Sequence, residues 1–212
     1  MVVIIAVASV LAVVSAWNDT VVVDEVPHIG AGYAYLVKQD MRLNPEHPPL
    51  AKDLAAIPLL FLQLKQSVFS TPPWQNAVNG QWYFGRYLMF NSDNDADQIK
   101  HAAKLPMLVF FILTALLIFH WTRRQYGNRA ALLATGLFAF SPSVLAHSRL
   151  VTTDLPALFG VSLATYWFLR YLHNPSRKHV WWAGLSLGIA LLTKFSTVLL
   201  LPFFVLLGLV WI

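Results

Sequence analysis

The sequence predicts an all-α integral membrane protein: a multi-span helical bundle whose large first extracytoplasmic loop carries membrane-surface helices. Three observations predict it. The 212-residue chain is 57% hydrophobic with a mean hydropathy of +0.57, more apolar than a soluble domain of this size, whose surface needs polar cover. Only 12% of its residues are charged, and they cluster between long apolar runs. Most of those runs approach the roughly 20 residues that cross a hydrocarbon core. The chain has no cysteine, so neither a disulfide framework nor a thiolate metal site can form. Its net charge of +5 comes mostly from short basic loops without interleaved aromatics, so nucleic acid is not an expected partner.

The whole chain, 1–212, reads as a single transmembrane domain with spans near 2–17, 103–121, 130–147, 153–172, 180–194 and 196–212. Residues 2–17 could pass for a signal peptide, and Ala12 to Ala16 weakly resembles a cleavage site. No basic stretch precedes them, so an uncleaved first span is expected. The last two runs are short and part only at Thr193-Lys194-Phe195-Ser196. Trp17, Trp121, Trp181, Trp182 and Trp211 fall near span ends, where interfacial aromatics belong. Arg123, Arg124 and Arg129 in one loop, and Arg170, Arg177 and Lys178 in another, have no acid among them and mark the inner side. The loop 18–102 then faces outward with nine of the ten acidic residues, and the tenth, Asp154, sits at another outward end. The carboxylates thus belong to one side of the membrane.

Two helices are expected in the long loop. Pro27 can open one, with Ile29, Tyr33 and Leu36 along its apolar side, lying on the membrane surface. A second follows Pro48-Pro49 and runs from Leu50 to Gln66, interrupted at Pro58 and too short to span. Residues 67–100 read as an exposed loop.

Four constellations could carry chemistry. Asp24-Glu25-Val26-Pro27-His28 lies just outside the first span; a partly desolvated carboxylate there suits deprotonation of a hydroxyl, while the segment taken alone reads more simply as a solvated loop start with a helix-capping acid. In Asn44-Pro45-Glu46-His47-Pro48-Pro49-Leu50-Ala51-Lys52 three prolines present Glu46 and His47 rigidly and Lys52 follows as an anion donor; the structural alternative is a stiff turn with a snorkelling lysine. Around Thr152-Thr153-Asp154, a threonine can cap the next helix and Asp154 suits its dipole, but Arg149 on the outward side points to an anion site or an ion pair. Lys194 lies at the break between two apolar runs, as a functional cation or a snorkelling one. Lys52, Arg149 and Lys194 all suit phosphate. Acidic bases and phosphate-binding cations on one membrane face point to transfer from a phosphorylated lipid; a transporter fragment or a noncatalytic scaffold subunit are the alternatives. Transporter charges belong near mid-span and near a repeat, whereas these stay at the outward ends.

The run Asp24-Glu25-x-x-His28, then Gly32-Tyr33-x-Tyr35-Leu36, then Arg42 through Lys52, resembles the phospholipid-carrier-dependent glycosyltransferases, the superfamily of protein O-mannosyltransferases and lipid A aminoarabinose transferases. His147-x-Arg149-Leu150-x-Thr152-Thr153-Asp154 and Leu192-Thr193-Lys194 are similar to that family as well. The resemblance implies a GT-C fold and inverting transfer of a sugar from a polyprenyl-phosphate donor to an acceptor hydroxyl. It assigns Asp24 as catalytic base, with Glu25 paired to it and Asp154 organising the site. Lys52, Arg149 and Lys194 would hold the donor phosphate; His28, Glu46 and His47 would line the substrate pocket. The implied partners are the lipid-linked donor, a protein, lipid or glycan acceptor and membrane lipids. No cofactor is required, although Asp24, Glu25 and His28 leave room for a divalent metal. Family members usually have about a dozen spans, so this chain is expected to be an N-terminal portion that can lack activity alone. A prokaryotic plasma membrane is the preferred location.

Overall fold

Helix breakers and packing glycines divide the first half of the chain more finely than its hydropathy does. The computed structural model describes residues 1–76 and 78–211, and no strand occurs among the described residues. Helix α1 (Val2–Trp17) is almost wholly apolar. Helix α2 (Glu25–Lys38) starts two residues before Pro27, which therefore sits in the first turn, where its missing amide costs no intrahelical bond. It ends at Gln39, whose left-handed backbone (φ 55°) lets its N–H close on the Tyr35 carbonyl. Helix α3 (Leu50–Ala56) is much shorter than the expected 50–66 segment. A 3-10 stretch, Ile57–Phe61, follows it and gives way to extended backbone at Leu62, because Pro58 cannot supply an amide to a continuing α-helix.

Residues 67–100 depart furthest from expectation. They contain α4 (Pro72–Gln75), α5 (Gln81–Arg86), a π-helical turn at Tyr87–Asn91 and α6 (Ala96–Lys104). Val68, Phe84, Leu88 and Ile99 are fully buried, so the segment is helical and contributes side chains to the core instead of forming an exposed loop. Phe69, Trp74 and Phe84 form a mutual aromatic cluster, with centroids 5.0–5.7 Å apart. Helix α5 lies so close on α2 that a Cβ at Gly30 would meet the Cα of Gly85. On the same helix, a Cβ at Gly32 would run into the Lys52 carbonyl of α3. Glycine is needed at both positions because backbone, not side chain, fills the space.

Helix α7 (Leu108–Ala139) continues from α6 through a 3-10 turn, and Ala96–Ala139 is the one helix among the described residues long and apolar enough to cross a membrane. Gly127 (φ 82°) breaks α7 inside the basic Arg123–Arg129 stretch, separating its two apolar runs. The second run stops at Ala139 and restarts after Ser141 as α8 (Pro142–Ser148). Helices α9 (Asp154–His173) and α10 (Arg177–Leu191) form an antiparallel hairpin. Gly160, early in α9, faces Ala190, late in α10; an added Cβ would lie 2.7 Å from the Ala190 Cα. A 3-10 turn (Phe195–Leu199) leads into α11 (Leu200–Trp211). Val3, Val10 and Val14 on α1, and Phe203, Leu206 and Val210 on α11, leave apolar side chains uncovered, the surface that a lipid solvent or further helices would cover.

Candidate active site

Five short stretches converge on one polar cavity of about 220 Å³. The start of α2 contributes Asp24 and His28, and the proline-rich loop before α3 contributes Glu46 and His47. Gln81 and Trp82 come from the start of α5, Thr152, Thr153 and Asp154 from the turn into α9, and Lys194 from the break after α10. Local hydrogen bonds fix the loop. The Asn44 side-chain oxygen accepts from the His47 amide at 3.2 Å, its side-chain amide donates to Gln81, and Asn79 donates to Glu46 at 2.7 Å. The Leu50 N–H donates to the Leu192 carbonyl at 3.2 Å, which ties the loop to the wall that carries Lys194.

Asp24 occupies the N-cap position of α2, yet its side chain caps no amide and is exposed. A carboxylate with no structural bond remains available to a ligand. Lys194 donates to Asp154 at 2.7 Å, with both side chains partly exposed. The two histidines meet edge-on, with ring centroids 5.2 Å apart. Burial, with His47 and Lys52 nearby, holds His28 down to about 4 from its usual 6.5; burial and Lys52 lower His47 as well. Both rings are thus neutral at pH 7, and the Nδ1 atom of each is buried without a partner. Neutral imidazoles can donate to or accept from a hydroxyl-rich ligand.

The sequence profile of the dolichyl-phosphate-mannose-protein mannosyltransferase family matches residues 96–212, more than half of the chain. The chain belongs to that family. Dolichyl-phosphate-mannose–protein mannosyltransferase 1 of Saccharomyces cerevisiae is similar to it, at 29% identity over 191 residues. That similarity covers 84% of this chain but 20% of the relative, so the chain spans about a fifth of the length of its curated relative. No solved structure matches. Membership in the mannosyltransferase family places this chain among integral membrane proteins. The profile match includes Asp154 and Lys194, whereas Asp24 and the Glu46-His47 loop precede it.

Within this mannosyltransferase-family chain, three residues expected at the site are committed elsewhere. Glu25 is fully buried: one oxygen accepts from Val22 N–H and the other from Val151 N–H, each at 2.9 Å, and Lys104 lies 3.2 Å away. One helix step from Asp24 turns its carboxylate inward, so it braces α2 and does not face the cavity. Asp24, Glu25 and His28 therefore do not converge as metal ligands; among the described residues no cluster of three His, Asp or Glu side chains does. Lys52 is also buried, donating to the His47 carbonyl at 2.6 Å, the Asn44 carbonyl at 3.0 Å and Tyr35 Oη at 3.2 Å. Burial lowers its pKa to about 8, and its charge braces the loop instead of meeting a phosphate. Arg149 pairs with Asp19 at 2.6 Å and lines a separate, mostly apolar cavity beside α1. Thr153 stands at the N-cap of α9 without making the expected side-chain cap.

Gln81 and Trp82 were not foreseen as cavity residues. Their stretch carries turn residues and aromatics without an extended period, and nothing local indicates that Gly85 seats it against Gly30.

Proposed function

We propose that this chain forms the donor-side portion of a membrane glycosyltransferase. In this reading it moves a mannosyl-type sugar from a polyprenyl-phosphate carrier to an acceptor hydroxyl, on a protein by preference, with inversion at the anomeric carbon. One observation carries the reading: in a chain of the mannosyltransferase family, Asp24, Asp154 and Lys194 come from three separate stretches and line one cavity. The architecture that goes with it is a GT-C-type bundle with the spans expected from hydropathy, its first large loop and the cavity on the extracytoplasmic side. A prokaryotic plasma membrane remains the preferred setting, on the style of that loop.

Asp24 takes the proton from the acceptor hydroxyl while that oxygen attacks the anomeric carbon. The bond from that carbon to the phosphate oxygen breaks, and polyprenyl phosphate leaves as a monoester. Lys194, the cation lining the cavity, stabilises the charge growing on the leaving group. Asp154 orients Lys194 through their ion pair. His28 and His47, both neutral, and Glu46 contact sugar or acceptor hydroxyls.

The test measures transfer from radiolabelled polyprenyl-phosphate mannose by membranes containing the protein, beside membranes with Asp24→Asn at equal expression. Loss of a general base lowers turnover by about 10²–10⁴-fold. Turnover unchanged by the substitution removes Asp24 from the role, and no transfer or donor binding across several lipid-linked sugars refutes the transferase reading.

A further inference from the structure

At the far end of α9 from Asp154 lies a second cavity, of about 400 Å³, between α7, α9 and α10. Sixteen residues of helix at about 1.5 Å each put Arg170 roughly 24 Å along the axis from Asp154, so this cavity is separate from the candidate active site. Its polar lining is Arg124, Arg170, Lys178, His120 and His179, with Tyr166 and Trp167 beside them. No carboxylate lines it, and no acidic residue occurs in the sequence between Asp97 and Asp154 or beyond Asp154.

These cations lack the partners that would make them structural. Arg170 Nε is buried without a hydrogen-bond acceptor, and Arg124 reaches only the Tyr166 hydroxyl, at 3.5 Å. The first turn of α10 holds Arg177, Lys178 and His179 with no acid. Basic side chains there add to the positive end of the helix dipole, an arrangement that is unfavourable until an anion arrives. The aromatics form a continuous set: Trp121 on Tyr166, Tyr166 on Trp167, and Trp167 stacked on Trp182 at 5.4 Å. Such rings gather at the headgroup level of a bilayer.

The geometry points to an anion site here that binds a phosphate group, with Arg124, Arg170 and Lys178 as its donors. Guanidinium pairs suit phosphate oxygens. An anionic membrane lipid or a soluble phosphate compound can supply that group, and the site works independently of the chemistry proposed at Asp24.

The purified chain in a neutral detergent, examined by native mass spectrometry, tests this with phosphatidylglycerol, phosphatidylcholine and inorganic phosphate as probes. Phosphatidylglycerol is expected to bind more tightly than phosphatidylcholine, to be displaced by millimolar phosphate, and to lose about tenfold in affinity with Arg124→Gln/Arg170→Gln, as loss of charge-assisted hydrogen bonds predicts. Inorganic phosphate that binds with the same sensitivity, without any preference for phosphatidylglycerol, identifies a soluble ligand at the same site. Lys178→Gln, at an exposed position, lowers affinity two- to threefold and serves if the double variant does not fold. Lys194→Gln, at the other cavity, leaves this binding unchanged. Equal binding to wild type and these variants, loss of binding through Lys194→Gln alone, or no binding of any probe overturns the assignment.

Discussion

Replacing Glu25 with glutamine separates the two adjacent acids into a structural one and a chemical one. Both oxygens of Glu25 accept backbone amides, from Val22 and Val151, and its charge faces Lys104, whose side chain is 6% exposed. Lys104 Nζ has no well-formed hydrogen bond and depends on that ion pair. In Glu25→Gln one acceptor oxygen becomes an NH₂ group that must face an amide donor, and Lys104 is left as an uncompensated buried charge. Breaking a buried pair in this way costs about 3–5 kcal/mol, a large part of a total stability of roughly 5–15 kcal/mol. At about 2–4 °C per kcal/mol for a chain of this size, the melting midpoint falls by roughly 6–20 °C. The assay is thermal unfolding in detergent, followed by the surviving monodisperse peak in size exclusion. Adding Lys104→Met to Glu25→Gln recovers most of the loss by removing the orphaned charge. Asp24→Asn, at an exposed side chain that caps nothing, stays within about 2 °C of wild type. A Glu25→Gln protein that melts with wild type, or an Asp24→Asn protein that falls as far, refutes the division of roles.

Two further outcomes follow from packing and burial. Gly30→Ala drives a methyl group against the Gly85 backbone, so α2 and α5 must separate; overpacking of this kind costs about 1–3 kcal/mol, read as a lower melting midpoint, and an unchanged midpoint contradicts the close approach. His28, held at about 4 against its usual 6.5, refuses a proton that the unfolded chain accepts between those values. Its contribution is complete above pH 6.5 and is lost as pH falls toward 4, by up to roughly 3 kcal/mol. Melts from pH 7.5 to 4.5 should therefore slope less steeply for His28→Gln than for wild type, and identical slopes remove His28 as the cause.

What the sequence disclosed depended on whether each feature is local. The long apolar runs and the polar first loop are legible because twenty apolar residues signal by composition alone. Asp24, His28, Glu46, His47, Asp154 and Lys194 all line the cavity, since each lies at the edge of an element where a polar side chain must face something other than lipid. Glu25, Lys52 and Arg149 belong to the same motifs, but Glu25 and Arg149 turn toward partners far away in sequence, Val151 with Lys104 and Asp19, while Lys52 folds back on the Asn44 and His47 carbonyls of its own loop and on the Tyr35 hydroxyl. A motif names residue types; it does not state which face of a helix each one takes. The 67–100 segment was misread for a related reason, because its burial depends on a glycine contact between α2 and α5 and on aromatic packing, neither of which has a short-range period.

The bond between Lys194 and Asp154 also bears on how the cavity responds to salt. An anion that Lys194 recruits does not meet a free ammonium; it shares that ammonium with a carboxylate already 2.7 Å away. Dissolved ions weaken the anion's attraction to Lys194 and its repulsion from Asp154 to similar extents. The pair itself then adds little to the ionic-strength dependence of association at this cavity. A lysine standing alone would add a stronger salt dependence, so the pair shifts selection of the ligand toward shape and its remaining contacts.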